Sequence, residues 1–354
     1  MPEAIYQEAL EAYVNPFHEF TVEPMNAGLI NQSFKITSLY SGDSFLLQMI
    51  NKNVFPEPEK VQQNYELIWK YLSEEEKDDY LPEPKYFTET ESLFCDSKEN
   101  YWRVFEFIYG SYTPEKFTAK QAGSTAKAFA WFTSSLSDFD EEQLEIVIPG
   151  FHDLTLRFKQ FKQALNANNI ERINKAERLI EELIRRERYS NLYDVFVESG
   201  EFKQRVMHHD AKISNVLFDI DTDNLVTLVD FDTVMPGYFF SDLGDMIRTM
   251  VCAVDEASVE FKKIRIRKTY YDAILNGYVA FMEHDLTGSE KKYIHYAGLI
   301  MIYMQALRFL ADYLNGDVYY KIKYTEQNFD RAKNQLTLLI ELEKFLKTNY
   351  SFNF

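Results

Sequence analysis

The sequence predicts an α+β protein with two lobes, a small β-rich lobe followed by a larger and mostly helical one. Its 354 residues exceed what one compact core usually spans. Before Gly110, short apolar stretches alternate with turn-forming residues, which is typical of strands. After Gly110, apolar residues recur at helical spacing. We therefore expect an N-lobe over residues 1–108 and a C-lobe over residues 109–354.

The N-lobe is expected to begin with a helix within residues 1–20 and to continue as a small sheet. The stretch TVEPMNAGLINQSFKITSLYSGDSFLLQMIN reads as strands whose turns lie at 26–28 and 41–43. NVFPEPEKVQQNYELIWKYL carries apolar residues at helical spacing after two prolines, which predicts the main helix of this lobe. LPEPKYFTETESLFCD and NYWRVFEFIYG are predicted to form a further hairpin.

The C-lobe is predicted to consist of amphipathic helices on either side of one polar hairpin. They are expected over residues 120–135, 154–165, 170–188, 242–254, 260–283, 289–314 and 327–347. The most apolar helix, AGLIMIYMQALRFLADYL, contains Gln305, Arg308 and Asp312. We interpret it as too short and too polar to span a bilayer.

Charge and cysteine content narrow the class of protein. A formal net charge of -18 argues against nucleic-acid binding, which depends on cationic side chains. The acidic surface would favour solubility, and it would also attract a polycation such as an aminoglycoside. The N-terminus carries acids where a signal peptide carries bases, and Cys95 and Cys252 lie far apart. We expect a cytoplasmic protein with no disulfide and no membrane partner, as a monomer or homodimer.

The stretch from Val206 to Arg248 concentrates the polar chemistry. Two apolar strands joined by a polar turn form a predicted hairpin in VMHHDAKISNVLFDIDTDNLVTLVDFDTVMPGYFFSDLGDMIR. The open end of the hairpin is flanked by Asp210 and Asn215 on one arm and by Asp230 and Asp232 on the other. Carboxylate and amide oxygens suit a hard cation such as magnesium.

This spacing resembles that of the protein-kinase-like phosphotransferases, which have a bilobal fold. In such enzymes one carboxylate accepts the proton of the attacking hydroxyl, while an amide and a second carboxylate hold the metal. The resemblance implies that Asp210 is the catalytic base and that Asn215 and Asp230 bind Mg²⁺. Lys212 would reach the transferred phosphoryl group of ATP. Any one such residue alone is more often a turn former, whereas the four residues His208, Asp210, Asn215 and Asp230 at this spacing favour a phosphotransferase.

Two alternatives concern the neighbouring residues. His208, His209 and Asp210 could form a zinc site, but adjacent side chains of an extended segment point to opposite sides. We therefore interpret His208 as a structural brace beneath the loop and His209 as a spacer. Asp242 lies in the predicted first turn of a helix, which Ser241 would cap. It could favour the helix dipole, accept backbone N–H groups of the catalytic loop, or do both.

The N-lobe offers candidates for nucleotide binding. Gly28 lies where a phosphate-covering turn would be, with Asn31 and Ser33 close behind, although a plain hairpin turn also explains a lone glycine. Kinases usually carry a lysine on the third strand, and Gln48 stands at the matching place. Gln48 keeps a donor but lacks the charge, so Lys52 or another cation would compensate, or the phosphates would depend more on magnesium.

The strand WRVFEFI has the position of an interlobe hinge by the same resemblance. A hinge binds adenine through backbone groups, so Glu106 and Ile108 are expected there by position alone. An edge strand that leads into a linker would contain the same residues.

Four blocks extend the resemblance to a family. VDFDTVMPGYFFSDLGDMIR, FLLQMINKNVF, WRVFEFI and RFLADYLNGDVYYKIKY resemble the N-acetylhexosamine 1-kinases, a branch of the aminoglycoside phosphotransferase and choline kinase group. The resemblance implies transfer of the ATP γ-phosphate to the anomeric hydroxyl of a sugar such as N-acetylglucosamine or N-acetylgalactosamine. The expected substrate residues are Asp210, Asp232, Arg308 and Tyr319.

Parts of the acceptor site stay open. Arg308 could instead form an ion pair with Asp312 four residues later, and Tyr319 could be structural. Leu29 replaces a histidine that is common in this branch, so the preferred hexosamine is undetermined. Two other functions compete with the sugar kinase. One is a kinase of the same fold for an amine-bearing acceptor such as an aminoglycoside or choline. The other is a catalytically inactive nucleotide-binding module.

Overall fold

A computed structural model describes residues 5–14, 19–25, 30–77, 80–166 and 169–352. The chain forms two compact units, and neither is continuous in sequence. The first comprises Met1–Thr113, Asp138–Pro149 and Val216–Met235, and the second comprises Pro114–Ser137, Gly150–Asn215 and Pro236–Phe354. The sequence predicted one boundary after residue 108, whereas two later segments also belong to the first unit.

The first unit is built on an antiparallel sheet in the order β1-β2-β3-β6-β4, with β5 also paired to β6. Its strands are β1 (Phe20–Met25), β2 (Gln32–Ser38), β3 (Ser44–Met49), β4 (Pro84–Lys85), β5 (Leu93–Cys95) and β6 (Tyr101–Glu106). One face of the sheet buries Ile36, Leu47, Trp102 and Val104 against the short helix α1 (Gln7–Tyr13). The predicted sheet and leading helix are confirmed.

Helix α2 (Pro58–Glu74) is the main helix of the first unit, as expected. Proline lies at its first position, where no N–H partner is lost, and its apolar stripe is buried. Asn64, fully buried on this helix, exchanges hydrogen bonds with the backbone of Glu145 and donates to the carbonyl of Val234. These bonds explain why residues near 145 and 234 belong to this unit.

The predicted polar hairpin is also confirmed. Strand β9 (Val216–Asp219) pairs antiparallel with β10 (Leu225–Leu228), and β7 (Ser111–Tyr112) pairs with β9 on its other side. Val216 lies opposite Leu228 in the register. Asp230 follows this open end two residues later, and Asn215 is the residue directly before Val216.

The second unit is helical apart from two short strands, β8 (Arg205–Met207) and β11 (Met235–Gly237), the latter at its border. Its helices are α3 (Ala119–Ser135), α4 (Leu154–Ala164), α5 (Ile170–Ile184), α6 (Arg188–Ser199), α7 (Phe240–Met250), α8 (Lys268–Met282), α9 (Gly288–Lys292), α10 (Tyr296–Leu314) and α11 (Gln327–Tyr350). Thr118 and Gln121 form a capping box at the start of α3. Helices α3 and α8 pack so closely that a Cβ at Gly277 would collide with the carbonyl of Gly123.

Four helix predictions need correction. The helix expected over 260–283 begins only at Lys268, after a separate 3₁₀ turn at Phe261–Lys263. The helix expected over 170–188 ends at Ile184, and α6 follows it almost directly. The helix expected over 289–314 is two helices, because Thr287 and Glu290 form a capping box for the short α9 before α10 begins. Helix α7 begins at Phe240, so Ser241 lies inside it and does not cap it.

Helix α10 is the apolar helix of the C-lobe. Its 19 residues and mean hydropathy of 1.2 are sufficient for a membrane span, so the prediction that it is too short and too polar was wrong. In the fold, however, 83% of this window is buried, which is characteristic of a core helix. Both cysteines are free, with Cys95 exposed and Cys252 buried, as expected.

Candidate active site

The loop expected to be catalytic follows β8 and is held by a buried carboxylate. Asp242, which is 0% exposed on α7, accepts hydrogen bonds from the backbone N–H groups of His208 (2.9 Å) and His209 (2.7 Å). Burial raises the pKa of Asp242 to about 7, although both N–H groups act to lower it. His209 has a φ of 64°, a left-handed conformation that is strained for a residue with a Cβ. The expected support of the loop by Asp242 is confirmed.

His208 braces the loop from below, as the sequence predicted. Its ring is fully buried and packs edge-on against Phe129, with 5.0 Å between ring centroids. The ring of His209 instead lies near His152, with 3.2 Å between their Nδ1 atoms. The two histidines therefore have different surroundings, and the described residues contain no group of three or more His, Cys, Asp or Glu able to hold a metal. This geometry argues against the zinc alternative.

Asp210 is placed to act as a base. Its carboxylate accepts hydrogen bonds from Lys212 Nζ and from Asn215 Nδ2, each over 2.8 Å. Burial raises the pKa of Asp210, but the charge and hydrogen bond of Lys212 outweigh this effect, and the pKa lies below its ordinary value. The side chain is 25% exposed. Asp210 is thus ionised at neutral pH and accessible to a hydroxyl proton.

The two expected metal ligands have suitable chemistry. Asn215 is buried in the second unit, and its amide nitrogen donates to the backbone and side-chain oxygens of Asp210. This arrangement leaves its amide oxygen for a cation. Asp230, in the first unit, has a φ of 67°, a strained conformation of the kind found at ligand sites. Amide and carboxylate oxygens are each of the type that magnesium accepts.

An aromatic and cationic cluster continues from the catalytic loop in the second unit. His152 contacts His209 and stacks on Phe151, with 4.5 Å between centroids. The guanidinium of Arg308 lies 5.5 Å from the Phe151 ring and 5.8 Å from the Tyr319 ring. Burial and the charges of His209 and Arg308 hold the pKa of His152 well below its usual value, so this imidazole is neutral. Arg308 and Tyr319, both expected to be substrate residues, lie together in this cluster.

The two carboxylates near Tyr319 in the sequence, Asp312 and Asp317, already have hydrogen-bond or ion-pair partners. Asp312 accepts the backbone N–H groups of residues 318–320 and the amide of Asn328. Asp317 pairs with Arg172. The possible ion pair between Arg308 and Asp312 is therefore wrong, and Arg308 Nη1 donates to Gln305 over 3.3 Å.

The nucleotide-side candidates of the first unit form a buried network. Gln48 donates to Ser33 over 3.1 Å and accepts from Arg103 Nε over 2.9 Å. Arg103 also pairs with Asp232, whose second oxygen accepts from Asn31 over 2.6 Å. Asp232 is 2% exposed with both oxygens bonded, which argues against its expected role as a substrate residue.

Four further nucleotide-side candidates have different outcomes. The side-chain ammonium of Lys52 lies 5.8 Å from the ring of Tyr101, and the cation bonded to Gln48 is Arg103. Gly28 lies outside the described residues. The carboxylate of Glu106 accepts from the backbone of Glu83, and the carbonyl of Ile108 accepts from Ser111 over 2.7 Å.

Sequence reasoning missed Arg103, His152 and Arg157. Arg103 could have been noticed as a basic residue in a strand that is otherwise buried, WRVFEF. His152 and Arg157 come from a loop and a helix with no recognisable motif. Arg157 donates to the carbonyl of Phe151, and burial together with the charge of Arg308 lowers its pKa.

Comparison with known proteins gives the family. The model of the phosphotransferase enzyme family matches residues 21–274, more than half of the chain. The chain belongs to the phosphotransferase enzyme family. Its fold also matches solved structures. A spectinomycin phosphotransferase in complex with ADP and spectinomycin has 14% identity and a TM-score of 0.58, covering 97% of this chain and 100% of that one.

Two other structures share the fold over similar lengths. A microcompartment-associated aminopropanol kinase has 17% identity and a TM-score of 0.57, with 97% of both chains covered. A choline kinase from Cryptosporidium parvum has 15% identity and a TM-score of 0.52, with 95% of this chain and 92% of that one covered. At these identities the similarity shows the fold, an antiparallel N-lobe sheet and a helical C-lobe, as predicted.

Proposed function

We propose that this protein is an ATP-dependent kinase that phosphorylates the anomeric hydroxyl of an N-acetylhexosamine such as N-acetylglucosamine or N-acetylgalactosamine. The observation that carries this proposal is the cluster of neutral rings and Arg308 beside the loop of Asp210. Family membership supports the reaction class, and the cluster supports the kind of acceptor. Such a kinase would act in the cytoplasm, where ATP and magnesium are available.

The proposed chemistry assigns a role to each residue of the loop. The ionised Asp210 accepts the proton of the anomeric hydroxyl as its oxygen attacks the γ-phosphorus of ATP, and ADP leaves with the electron pair of the broken P–O bond. Lys212 lies 2.8 Å from Asp210 and offsets negative charge on the transferred group. Asn215 and Asp230 would hold Mg²⁺, which when bound neutralises charge on the phosphates of ATP.

An uncharged acceptor fits the cluster better than a cationic one. A sugar is recognised by aromatic faces and by directional hydrogen bonds, which Tyr319, Arg308 and the neutral His152 can provide. The nearby carboxylates that could pair with an ammonium group, Asp312 and Asp317, are engaged by backbone N–H groups and by Arg172. The charge of Arg308 would also repel a cation.

The test measures ADP release with a set of acceptors. We expect turnover with N-acetylglucosamine or N-acetylgalactosamine, and none with their methyl glycosides, in which the anomeric hydroxyl is blocked. Equal turnover with the methyl glycosides would contradict anomeric transfer. Arg308→Lys should raise KM for the sugar by about 10-fold or more with little change in KM for ATP, since lysine lacks the planar fork of donors.

The same assay distinguishes the competing functions. ADP release with choline, ethanolamine or kanamycin alone would assign an amine-bearing acceptor. Stabilisation of the protein by MgADP without turnover of any acceptor would indicate an inactive nucleotide-binding module. The ionised Asp210 with its Lys212 and Asn215 partners argues against such a module.

A further inference from the structure

In the first unit the positive charge of Arg103 lies on β6, whereas kinases usually carry a lysine on the third strand, β3. Gln48 on β3 and Arg103 on β6 are direct partners in the sheet register. Arg103 Nε donates to Gln48 over 2.9 Å, and the guanidinium also forms an ion pair with Asp232. Both charged side chains are only 3% exposed. The cation that is absent from β3 is therefore present on β6, where it is bonded to Gln48.

Asp232 connects this cation to two loops. It lies in the 3₁₀ turn Phe231–Thr233, which begins directly after Asp230. Its second oxygen accepts from Asn31 at the entrance to β2, and Asn31 in turn accepts the backbone N–H of Asn51 over 3.0 Å. One buried carboxylate thus fixes the loop of Asp230, the start of β2 and the β3–β6 pair to one another.

The burial of this pair determines how it can act. The Arg103 guanidinium is paired with a buried carboxylate and is only 3% exposed, so little of its surface is open to a phosphate. Moving it towards a phosphate would leave the carboxylate unpaired, which is strongly unfavourable. Arg103 is therefore suited to holding Asp232 in place, and through it the strained backbone of Asp230. Groups that orient a metal ligand from behind commonly change metal affinity when they are removed.

We propose that Arg103 is a positioning residue which, together with Asp232, fixes the loop of Asp230. This inference rests on the proposed function, because it takes Asp230 as a magnesium ligand. It adds that Arg103, on β6, holds the loop of Asp230 in place through its ion pair with Asp232.

The test uses thermal unfolding of the full-length protein in ADP, with magnesium titrated and no acceptor present. Arg103→Met with Asp232→Asn removes both charges and leaves no unpaired buried ion. We expect this double variant to fold and to need about 10-fold more magnesium for half-maximal stabilisation by ADP. Gln48→Lys with Arg103→Met returns a cation to β3 within reach of Asp232, and most of the loss should be recovered.

A matched control is a partly buried ion pair elsewhere, Arg186 with Glu343 in the second unit. Arg186→Met with Glu343→Gln should change the midpoint of unfolding without ADP but not the magnesium requirement. Arg103→Lys keeps the buried pair of opposite charges but lacks the planar fork that donates to both Gln48 and Asp232. It should raise the magnesium requirement by less than the doubly neutral variant does, so an unchanged requirement in Arg103→Lys overturns the inference even if the doubly neutral variant fails to fold.

Three further outcomes would overturn the inference. An unchanged magnesium requirement in the doubly neutral variant would show that the Arg103–Asp232 pair only contributes to packing and does not position Asp230. Weaker ADP binding in EDTA, with no change in the magnesium requirement, would show that Arg103 contacts phosphate directly. Absence of any stabilisation of the unaltered protein by MgADP would overturn the proposed function itself, and this result is distinct from the other two.

Discussion

Removal of the Asp242 carboxylate should release the catalytic loop. In Asp242→Ala, the N–H groups of His208 and His209 lose acceptors at 2.9 and 2.7 Å in a site with no exposure. Each unsatisfied buried donor costs about 1–3 kcal/mol, so the loop should lose about 2–6 kcal/mol. Fewer hydrogen bonds then maintain the strained backbone conformation of His209. Because Asp210 is the next residue in the chain, its position should change and kcat should fall.

Hydrogen exchange measured by mass spectrometry on a peptide covering residues 205–212 reports this loss. A loss of about 2 kcal/mol corresponds to exchange about 30-fold faster, since 1.36 kcal/mol is a factor of ten. Asp242→Asn keeps one acceptor oxygen and should show an intermediate rate. Asp245→Asn, one turn later on α7, serves as the control and should leave the peptide unchanged. Wild-type exchange in Asp242→Ala would refute the assigned role of this carboxylate.

Four further predictions concern the same loop. The pKa of Asp242, about 7, lies above that of an unfolded aspartate, about 3.9, so the folded state holds this proton more tightly. The free energy of unfolding should therefore fall as pH rises from about 4 to 7, and Asp242→Asn should flatten this fall in urea titrations. Lys212→Met removes a group that lowers the pKa of Asp210, so the acid limb of the pH profile of kcat should move to higher pH. An unchanged acid limb would contradict the pairing of Lys212 with Asp210. Gly237→Ala would place a Cβ 2.5 Å from the His209 ring. KM for the acceptor should therefore rise while KM for ATP stays constant. Equal changes in the two KM values would contradict an effect confined to the surroundings of His209. Asp210→Asn should lower kcat by a factor of about 10² or more and leave stabilisation by MgADP intact, and turnover at the wild-type rate would exclude Asp210 as the base.

The sequence predicted those parts of the site that depend on neighbours along the chain. Asp210, Lys212 and Asn215 lie within one short loop, so their spacing alone indicates that they interact. The hairpin of β9 and β10 was likewise visible, because alternation and a polar turn are local signals.

The errors have a common physical origin in contacts between distant parts of the chain. Asp232 was taken for a substrate residue because nothing near it in sequence shows Arg103, which pairs with it from 129 residues away. The helices α9 and α10 were merged because the capping box at Thr287 is a weaker signal than the apolar periodicity around it. Helix α10 was predicted not to span a membrane because of its polar residues, whereas its burial in the fold is what identifies it as a core helix.

The most direct test of the central claim is the phosphorus NMR spectrum of the products formed with MgATP and N-acetylglucosamine. Phosphate on the anomeric oxygen couples to the anomeric proton, so a proton–phosphorus correlation connects the phosphorus to that proton, whereas phosphate on another hydroxyl correlates with a different sugar proton. We predict this sugar 1-phosphate signal with wild-type protein, together with ADP in equal amount, and its loss in Asp210→Asn. A phosphate at another sugar position, or a signal only when an amino alcohol or aminoglycoside replaces the sugar, would contradict the proposed function.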